Sequence, residues 1–187
     1  MDSKKFPLIM KSAAIATSAA TLLFLLWHRC RPTGPLLSCA VSFGTTAYHF
    51  DMRLAVGYLL LKLTNYEFDH RHPWFQPRKW EASLYRKIGI RKWKAKIPTY
   101  DPGQFSLTAQ PLGRVIQNMC GAELVHEIIM VLSFLPLLAV PVFGEFPVFL
   151  ITSILAALYD SIFVIAQRYN RPRLVRLQER QEAKTCE

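Results

Sequence analysis

The chain has 187 residues, of which 51% are hydrophobic and 12% aromatic, yet its formal net charge is +10. A soluble protein with this composition would need a large apolar core beneath a solvated charged surface, whereas a membrane protein separates the two classes along its sequence. The apolar residues do come in blocks, with charged residues in the gaps between them. The composition excludes intrinsic disorder and favours a single membrane domain over residues 1–187.

Four apolar blocks are long enough to cross a bilayer, which takes about 20 residues of helix. The first follows several lysines, as in a signal peptide, but no small-residue cleavage site comes after it, so we interpret it as a retained span. Pro136 and Pro141 are expected to kink the third block or end it early. The expected fold is an all-α integral membrane bundle of about four transmembrane helices, at about residues 8–27, 36–63, 124–143 and 146–166.

Lysine and arginine residues indicate the orientation of the spans. They are concentrated before the first span, between the second and third, and after the fourth. Because cytoplasmic loops carry the excess of basic residues, both termini and the long middle segment are predicted to be cytoplasmic.

The middle segment, residues 64–122, is too patterned to be a simple linker. Trp80, Leu84 and Ile88 recur at helical spacing, and basic residues cover the other side. Tryptophan suits the headgroup layer of a membrane. We therefore predict an amphipathic cytoplasmic segment that lies on the membrane, with Trp80 and Trp93 seating it as a lid over bound substrate.

The four cysteines, Cys30, Cys39, Cys120 and Cys186, show neither a CxxC spacing nor a zinc-type Cys/His arrangement. We interpret them as reduced structural residues.

Ionisable residues inside a span cost about 3 kcal/mol or more unless they are paired or hydrated. His49 and Arg53, in the second span, are four residues apart and share a helix face. They either pair with other helices and hold the bundle together or bind substrate, and the sequence leaves both interpretations open.

The third span begins with a second polar group. Glu123, His126 and Glu127 stand at positions i, i+3 and i+4 and thus on one face of one helical turn. A histidine between two carboxylates is a candidate general base toward a substrate hydroxyl, with a carboxylate orienting it. Structural pairing and a metal site completed by His49 are the alternatives, although the second ExxH or HxxxH of a complete metal site is missing. No GxSxG, Walker or GxGxxG motif occurs.

The fourth span is followed by a basic tail, residues 167–187, in which Arg168, Arg171 and Arg173 are interleaved with Gln167 and Asn170. Guanidinium groups bind phosphates in a bidentate manner, so this cluster could bind a phospholipid headgroup or a coenzyme A phosphate. Ordinary positive-inside charge is the alternative. Pro172 is expected to turn the chain after Arg171.

Three stretches resemble the glycosyl-4,4'-diaponeurosporenoate acyltransferase family, small bacterial membrane enzymes of carotenoid biosynthesis. In chain order they are Trp80-Glu81 with Leu84-Tyr85, Trp93-Lys94 and Pro98; Ala122-Glu123-Leu124-x-His126; and Gln167-Arg168-Tyr169-Asn170-Arg171-Pro172-Arg173-Leu174. The chain departs from the expected pattern at Gly121, where a basic residue is expected, and at Glu127, where an aromatic residue is usual.

The resemblance covers roughly residues 46–177. It implies transfer of a fatty acyl group from an acyl-CoA or acyl-carrier-protein thioester to a hydroxyl of a glycosylated terpenoid or similar lipid. It also implies a bacterial cell-membrane location, membrane lipids as partners, no bound cofactor or metal, and no nucleic acid.

Overall fold

The computed structural model describes residues 5–65 and 67–185, and within them the chain is helical without a strand. Four short 3₁₀ turns, at Pro73–Phe75, Lys94–Lys96, Pro102–Phe105 and Leu135–Ala139, accompany the α-helices. The seven α-helices of this part are α1 (Lys5–Cys30), α2 (Gly34–Leu63), α3 (Glu81–Lys87), α4 (Ile90–Trp93), α5 (Leu112–Leu132), α6 (Val140–Phe143) and α7 (Phe146–Thr185). Cys30, Cys39 and Cys120 are free thiols, and Cys186 lies outside the described residues.

Within the described ranges, three helical stretches are long and apolar enough to cross a membrane: Lys5–Cys30, Leu112–Phe143 and Phe146–Lys184. The α2 helix has 30 residues but carries charged and polar side chains near its middle, which lowers its apolar character. The all-helical prediction is confirmed, with three apolar helices suited to a membrane, and the count of four spans stays a prediction.

Two helix boundaries differ from expectation. The α5 helix begins at Leu112, earlier than the predicted start at residue 124. The prediction missed its first turns because polar residues such as Asn118 interrupt the apolar run there. The expectation that Pro172 turns the chain is wrong, since α7 contains Pro172 and continues to Thr185. A proline inside a helix removes one backbone hydrogen bond, and tertiary contacts of the neighbouring Arg171 hold the helix in place. The regular helix α5 ends at Leu132, and a 3₁₀ turn that contains Pro136 follows inside the apolar stretch Leu112–Phe143.

The described chain divides into two compact units. The first unit combines Met1–Tyr58 with Ile128–Asp160, and the second unit combines Leu59–Glu127 with Ser161–Glu187.

Aromatic stacking and polar contacts hold the helices of the first unit together. The rings of Phe24 and Phe43 stack with centroids 5.5 Å apart, joining α1 to α2. The Tyr48 hydroxyl donates to the carbonyl of Leu132 over 2.8 Å, which ties α2 to the end of α5.

The second unit is built from the segment between α2 and α5, most of α5 and the last part of α7. Its buried apolar side chains include Phe75, Ile90 and Ile116. Gly121 allows close packing here, because a Cβ added at this position would lie 2.7 Å from the Phe68 ring. Most of the predicted site residues lie in this unit.

Candidate active site

A buried network of two arginines and two glutamates forms the centre of the second unit. Glu123 of α5 is fully buried, and its Oε1 atom accepts from Arg168 Nη1 at 2.6 Å while its Oε2 atom pairs with Arg171. Arg168 also reaches Glu81 of α3, whose Oε1 accepts from its Nε at 2.8 Å. Two positive and two negative charges therefore offset one another out of water, which a buried ion pair needs in order to be stable.

The same arginines fix the chain before α3. Arg168 donates to the carbonyls of Trp74 over 3.1 Å and Gln76 over 3.0 Å, and Arg171 donates to the carbonyl of Phe75. When its contacts to the two glutamates are included, each of the three guanidinium nitrogens of Arg168 contacts a protein acceptor. Both side chains thus position residues 74–76, and only 2% of the Arg171 surface is exposed.

The predicted base lies on the same turn of α5. The half-buried His126 stacks its imidazole on the Phe163 ring of α7, with centroids 4.4 Å apart and planes inclined by 10°. On the next residue, the Glu127 Oε2 atom accepts from the indole Nε1 of Trp74 at 2.6 Å. Trp74 links this turn to the arginine network, because its carbonyl accepts from Arg168. The stacking fixes the plane of the His126 ring.

Glu123 has different partners from those predicted for it. Sequence reasoning assigned Glu123 or Glu127 to orient His126, whereas both carboxylate oxygens of Glu123 bind arginine.

Three basic side chains surround Tyr169, which directly follows Arg168 in the chain. Arg91 Nε donates to the Tyr169 hydroxyl over 3.1 Å, and the Arg173 guanidinium lies 3.8 Å from the centroid of its ring. Lys94 Nζ lies 4.9 Å from the same centroid and donates to Asn170 Oδ1 over 2.6 Å. The structure brings Asn170 and Arg173 together here, and it adds Arg91 and Lys94, which sequence reasoning did not select.

Glu81 and Tyr85 were also missed. Glu81 is 2% exposed, although it stands in an otherwise basic segment. The Tyr85 hydroxyl donates to Glu81 Oε2 over 2.9 Å. Burial, and then this bond to a carboxylate, raise the pKa of Tyr85 above its ordinary value. The sequence does carry a signal for Glu81, because it is a lone acidic residue among lysines and arginines. Such a residue is a candidate ion-pair partner for the arginines of α7.

The remaining predicted residues of the second unit are exposed or half-buried. Trp80 is 56% exposed, and Gln167 is half-buried. Trp93 is half-buried and donates its indole N–H to the carbonyl of Ile88 over 3.0 Å.

His49 and Arg53 belong to the first unit. Arg53 forms an ion pair with the fully buried Asp160 and donates to the carbonyl of Ala156 over 3.2 Å, which favours the bundle-holding interpretation for this arginine. His49 is buried, and neither ring nitrogen has a hydrogen-bond partner among the described residues. Sequence reasoning missed Asp160, although a carboxylate within an apolar block is a clear signal.

Metal ligation was the remaining alternative for these residues. Among residues 5–65 and 67–185, no group of three or more His, Cys, Asp or Glu side chains is arranged to hold a metal ion. Glu123, one of the four residues considered for such a site, has both oxygens on arginine.

A comparison with known proteins identifies the family of the chain. The family model for glycosyl-4,4'-diaponeurosporenoate acyltransferase matches residues 71–180, more than half of the chain. The matched range includes Trp74, Glu81, Glu123, His126 and the arginines of α7, and thus the whole network. No match was found among curated proteins or among solved structures. The chain therefore belongs to the glycosyl-4,4'-diaponeurosporenoate acyltransferase family and is an acyltransferase.

Proposed function

We propose that this enzyme moves a fatty acyl group from a thioester donor to a hydroxyl of a lipid-like acceptor, a glycosylated terpenoid or similar molecule. The reaction takes place at the cytoplasmic interface of the bacterial cell membrane. The family membership supports the acyl transfer, and the three apolar helices support the membrane location. We propose that α2 also crosses the membrane, which brings the number of spans to four. An even number of spans leaves both termini in the cytoplasm, where the basic residues are concentrated.

His126 is the general base of this proposal, and its fixed ring is the observation that carries it. A base must hold its nitrogen in line with the proton that it removes, and stacking on Phe163 restricts the imidazole in this way. His126 removes the proton of the acceptor hydroxyl as the hydroxyl oxygen attacks the thioester carbonyl carbon. An ester C–O bond forms, the C–S bond breaks, and the proton passes from the imidazolium to the departing thiolate. The products are the acylated acceptor and a free thiol.

The carboxylates around His126 have separate functions. Glu127, held by the Trp74 indole, is the group that stabilises the positive charge that His126 acquires. Glu123 is a positioning residue, because it holds the two arginines that fix residues 74–76. Arg168 and Arg171 act through those backbone contacts on the geometry of substrate binding.

Substrate binding involves the remaining predicted residues. Exposed Trp80 and half-buried Trp93 keep the interfacial segment at the headgroup layer, where an acyl chain and an acceptor enter. Gln167 and Asn170 offer polar groups near the arginines of α7. In the first unit, taken by itself, His49 is a binding residue for a polar group of a lipid-like ligand, since an unpartnered ring nitrogen in a buried position favours such a group. The reaction requires no bound cofactor, because the acyl-CoA or acyl-carrier-protein co-substrate supplies an activated acyl group.

The test is thiol release by purified protein in lipid nanodiscs, with acyl-CoA and acyl-carrier protein offered as donors and a glycosylated terpenoid as acceptor. Loss of general-base catalysis in His126→Ala should lower kcat roughly 10²- to 10⁴-fold. His70→Ala is the matched control, because His70 is a half-buried histidine of the same unit outside the network, and it should retain wild-type kcat. Equal kcat in His126→Ala and wild type would remove His126 from the chemistry.

A further inference from the structure

The three cations around Tyr169 differ from the two arginines of the buried network. Arg168 and Arg171 are neutralised by Glu81 and Glu123. By contrast, no ion pair of the described residues includes Arg91, Lys94 or Arg173. Their contacts are to a tyrosine hydroxyl, a tyrosine ring and an asparagine amide, all of which are neutral.

Three cations gathered on one side chain repel one another, and an anion bound among them would remove that cost. The cluster is open to a ligand, since Arg91 and Arg173 are exposed and Lys94 is half-buried. Tyr169 is 8% exposed and cannot move away, and the Tyr85 ring packs edge-on against it with centroids 5.4 Å apart. Arginine and lysine donors held on such a fixed support are suited to phosphate oxygens.

We propose that Arg91, Lys94 and Arg173 form a phosphate-binding site for the acyl donor. This assignment rests on the proposed function, because the thiol carriers of acyl groups, coenzyme A and acyl-carrier protein, both bear a phosphopantetheine group. Phe163, which holds the base, and Arg173 are about ten residues apart on α7, or about 15 Å at 1.5 Å per residue. An extended pantetheine arm can bridge such a distance, so that a phosphate at the cluster leaves the thioester near His126.

The first arm of the test measures binding of coenzyme A and of phosphopantetheine to the full chain in nanodiscs of zwitterionic lipid. The site variant is Arg91→Gln/Lys94→Gln/Arg173→Gln. The matched control is Arg86→Gln/Lys92→Gln/Lys96→Gln, which removes the same charge from exposed positions of the neighbouring segment. Each lost charge-assisted contact weakens binding roughly tenfold, so the site variant should lose at least about a hundredfold in affinity and the control less than about threefold.

The single variant Arg173→Gln changes one exposed side chain and should lower the affinity for coenzyme A roughly tenfold. It tests the same site if the triple variant does not fold. Equal losses in the site and control variants would overturn the proposal, because they would indicate general charge alone.

A second arm distinguishes the donor from a lipid headgroup. It measures binding of the detergent-solubilised protein to phosphatidylglycerol vesicles, which we expect site and control variants to lose equally. Selective loss of vesicle binding in the site variant, with coenzyme A binding intact, would assign the cluster to the headgroup and overturn the donor assignment. His126→Ala should bind coenzyme A as wild type does, so failure of the base and failure of the phosphate site are separate results.

Discussion

Replacing Glu123 with glutamine tests the central network of the second unit. The substitution preserves the shape of the side chain and removes one of two negative charges, so the network changes from neutral to a net charge of about +1 out of water. Arg168 keeps Glu81 as a partner, whereas Arg171, with 2% of its surface exposed, loses its carboxylate. Breaking a buried pair in this way costs about 3–5 kcal/mol, a large part of the roughly 5–15 kcal/mol that stabilises a folded protein.

The assay is thermal unfolding in detergent, where Glu123→Gln should lower Tm by about 10 °C. Tryptic cleavage at Arg71 and Lys79 should also accelerate, because the arginines no longer fix the chain between them. Glu127→Gln is the control: glutamine can still accept the bond from the Trp74 indole, so we expect a loss of at most about 1 kcal/mol.

A double variant separates the unpaired charge from lost packing. Adding Arg171→Met to Glu123→Gln removes the uncompensated guanidinium and should restore part of the lost Tm. Equal Tm values for Glu123→Gln and Glu127→Gln, with unchanged tryptic cleavage, would show that the Glu123–Arg171 ion pair does not stabilise this unit.

Three further predictions concern other parts of the molecule. In the first unit, Arg53→Gln or Asp160→Asn alone should cost about 3–5 kcal/mol in the free energy of unfolding and the double variant less than their sum, which a double-mutant cycle measures. Gly121→Ala should lower the free energy of unfolding by about 1–3 kcal/mol, because the added Cβ would lie 2.7 Å from a phenylalanine ring. Gly57→Ala is the control and should be neutral or stabilising, since no atom lies within 4 Å of its added Cβ. The Tm values of the two variants test this difference. The raised pKa of Tyr85 means that the unfolded chain loses this proton first, so stability should fall as pH rises above about 10, and less steeply in Tyr85→Phe, as followed by unfolding at a series of alkaline pH values.

The elements that could be predicted from sequence are those set by local pattern. Apolar length predicts α1 and the last two long helices, and Pro136 predicts an interruption of regular helix in the third apolar block, where a 3₁₀ turn lies. The stretch from Gln167 to Leu174 and the turn from Glu123 to Glu127 predict which part of the chain carries the polar site. These signals are readable because they depend on a few neighbouring residues.

The partners of those residues were not readable in the same way. Which carboxylate binds Arg168 or Arg171 depends on the return of a segment some 90 residues away, and no local pattern encodes that Glu81 folds back onto α7. The predicted turn at Pro172 failed for a related reason. Tertiary contacts of the adjacent Arg171 outweigh the local tendency of proline to end a helix. A basic residue was expected where the chain has Gly121, and the Phe68 ring packs so closely there that a larger side chain would not fit.

Comparative mass spectrometry of membrane lipids tests the acyl-transfer account most directly. Cells that contain a glycosylated terpenoid would express wild type, His126→Ala or His70→Ala at matched membrane levels. We expect a lipid heavier by one acyl chain in cells with wild type or His70→Ala, and its absence with His126→Ala. The same heavier lipid at the same level with His126→Ala, or identical lipid profiles with and without the wild-type protein, would contradict it.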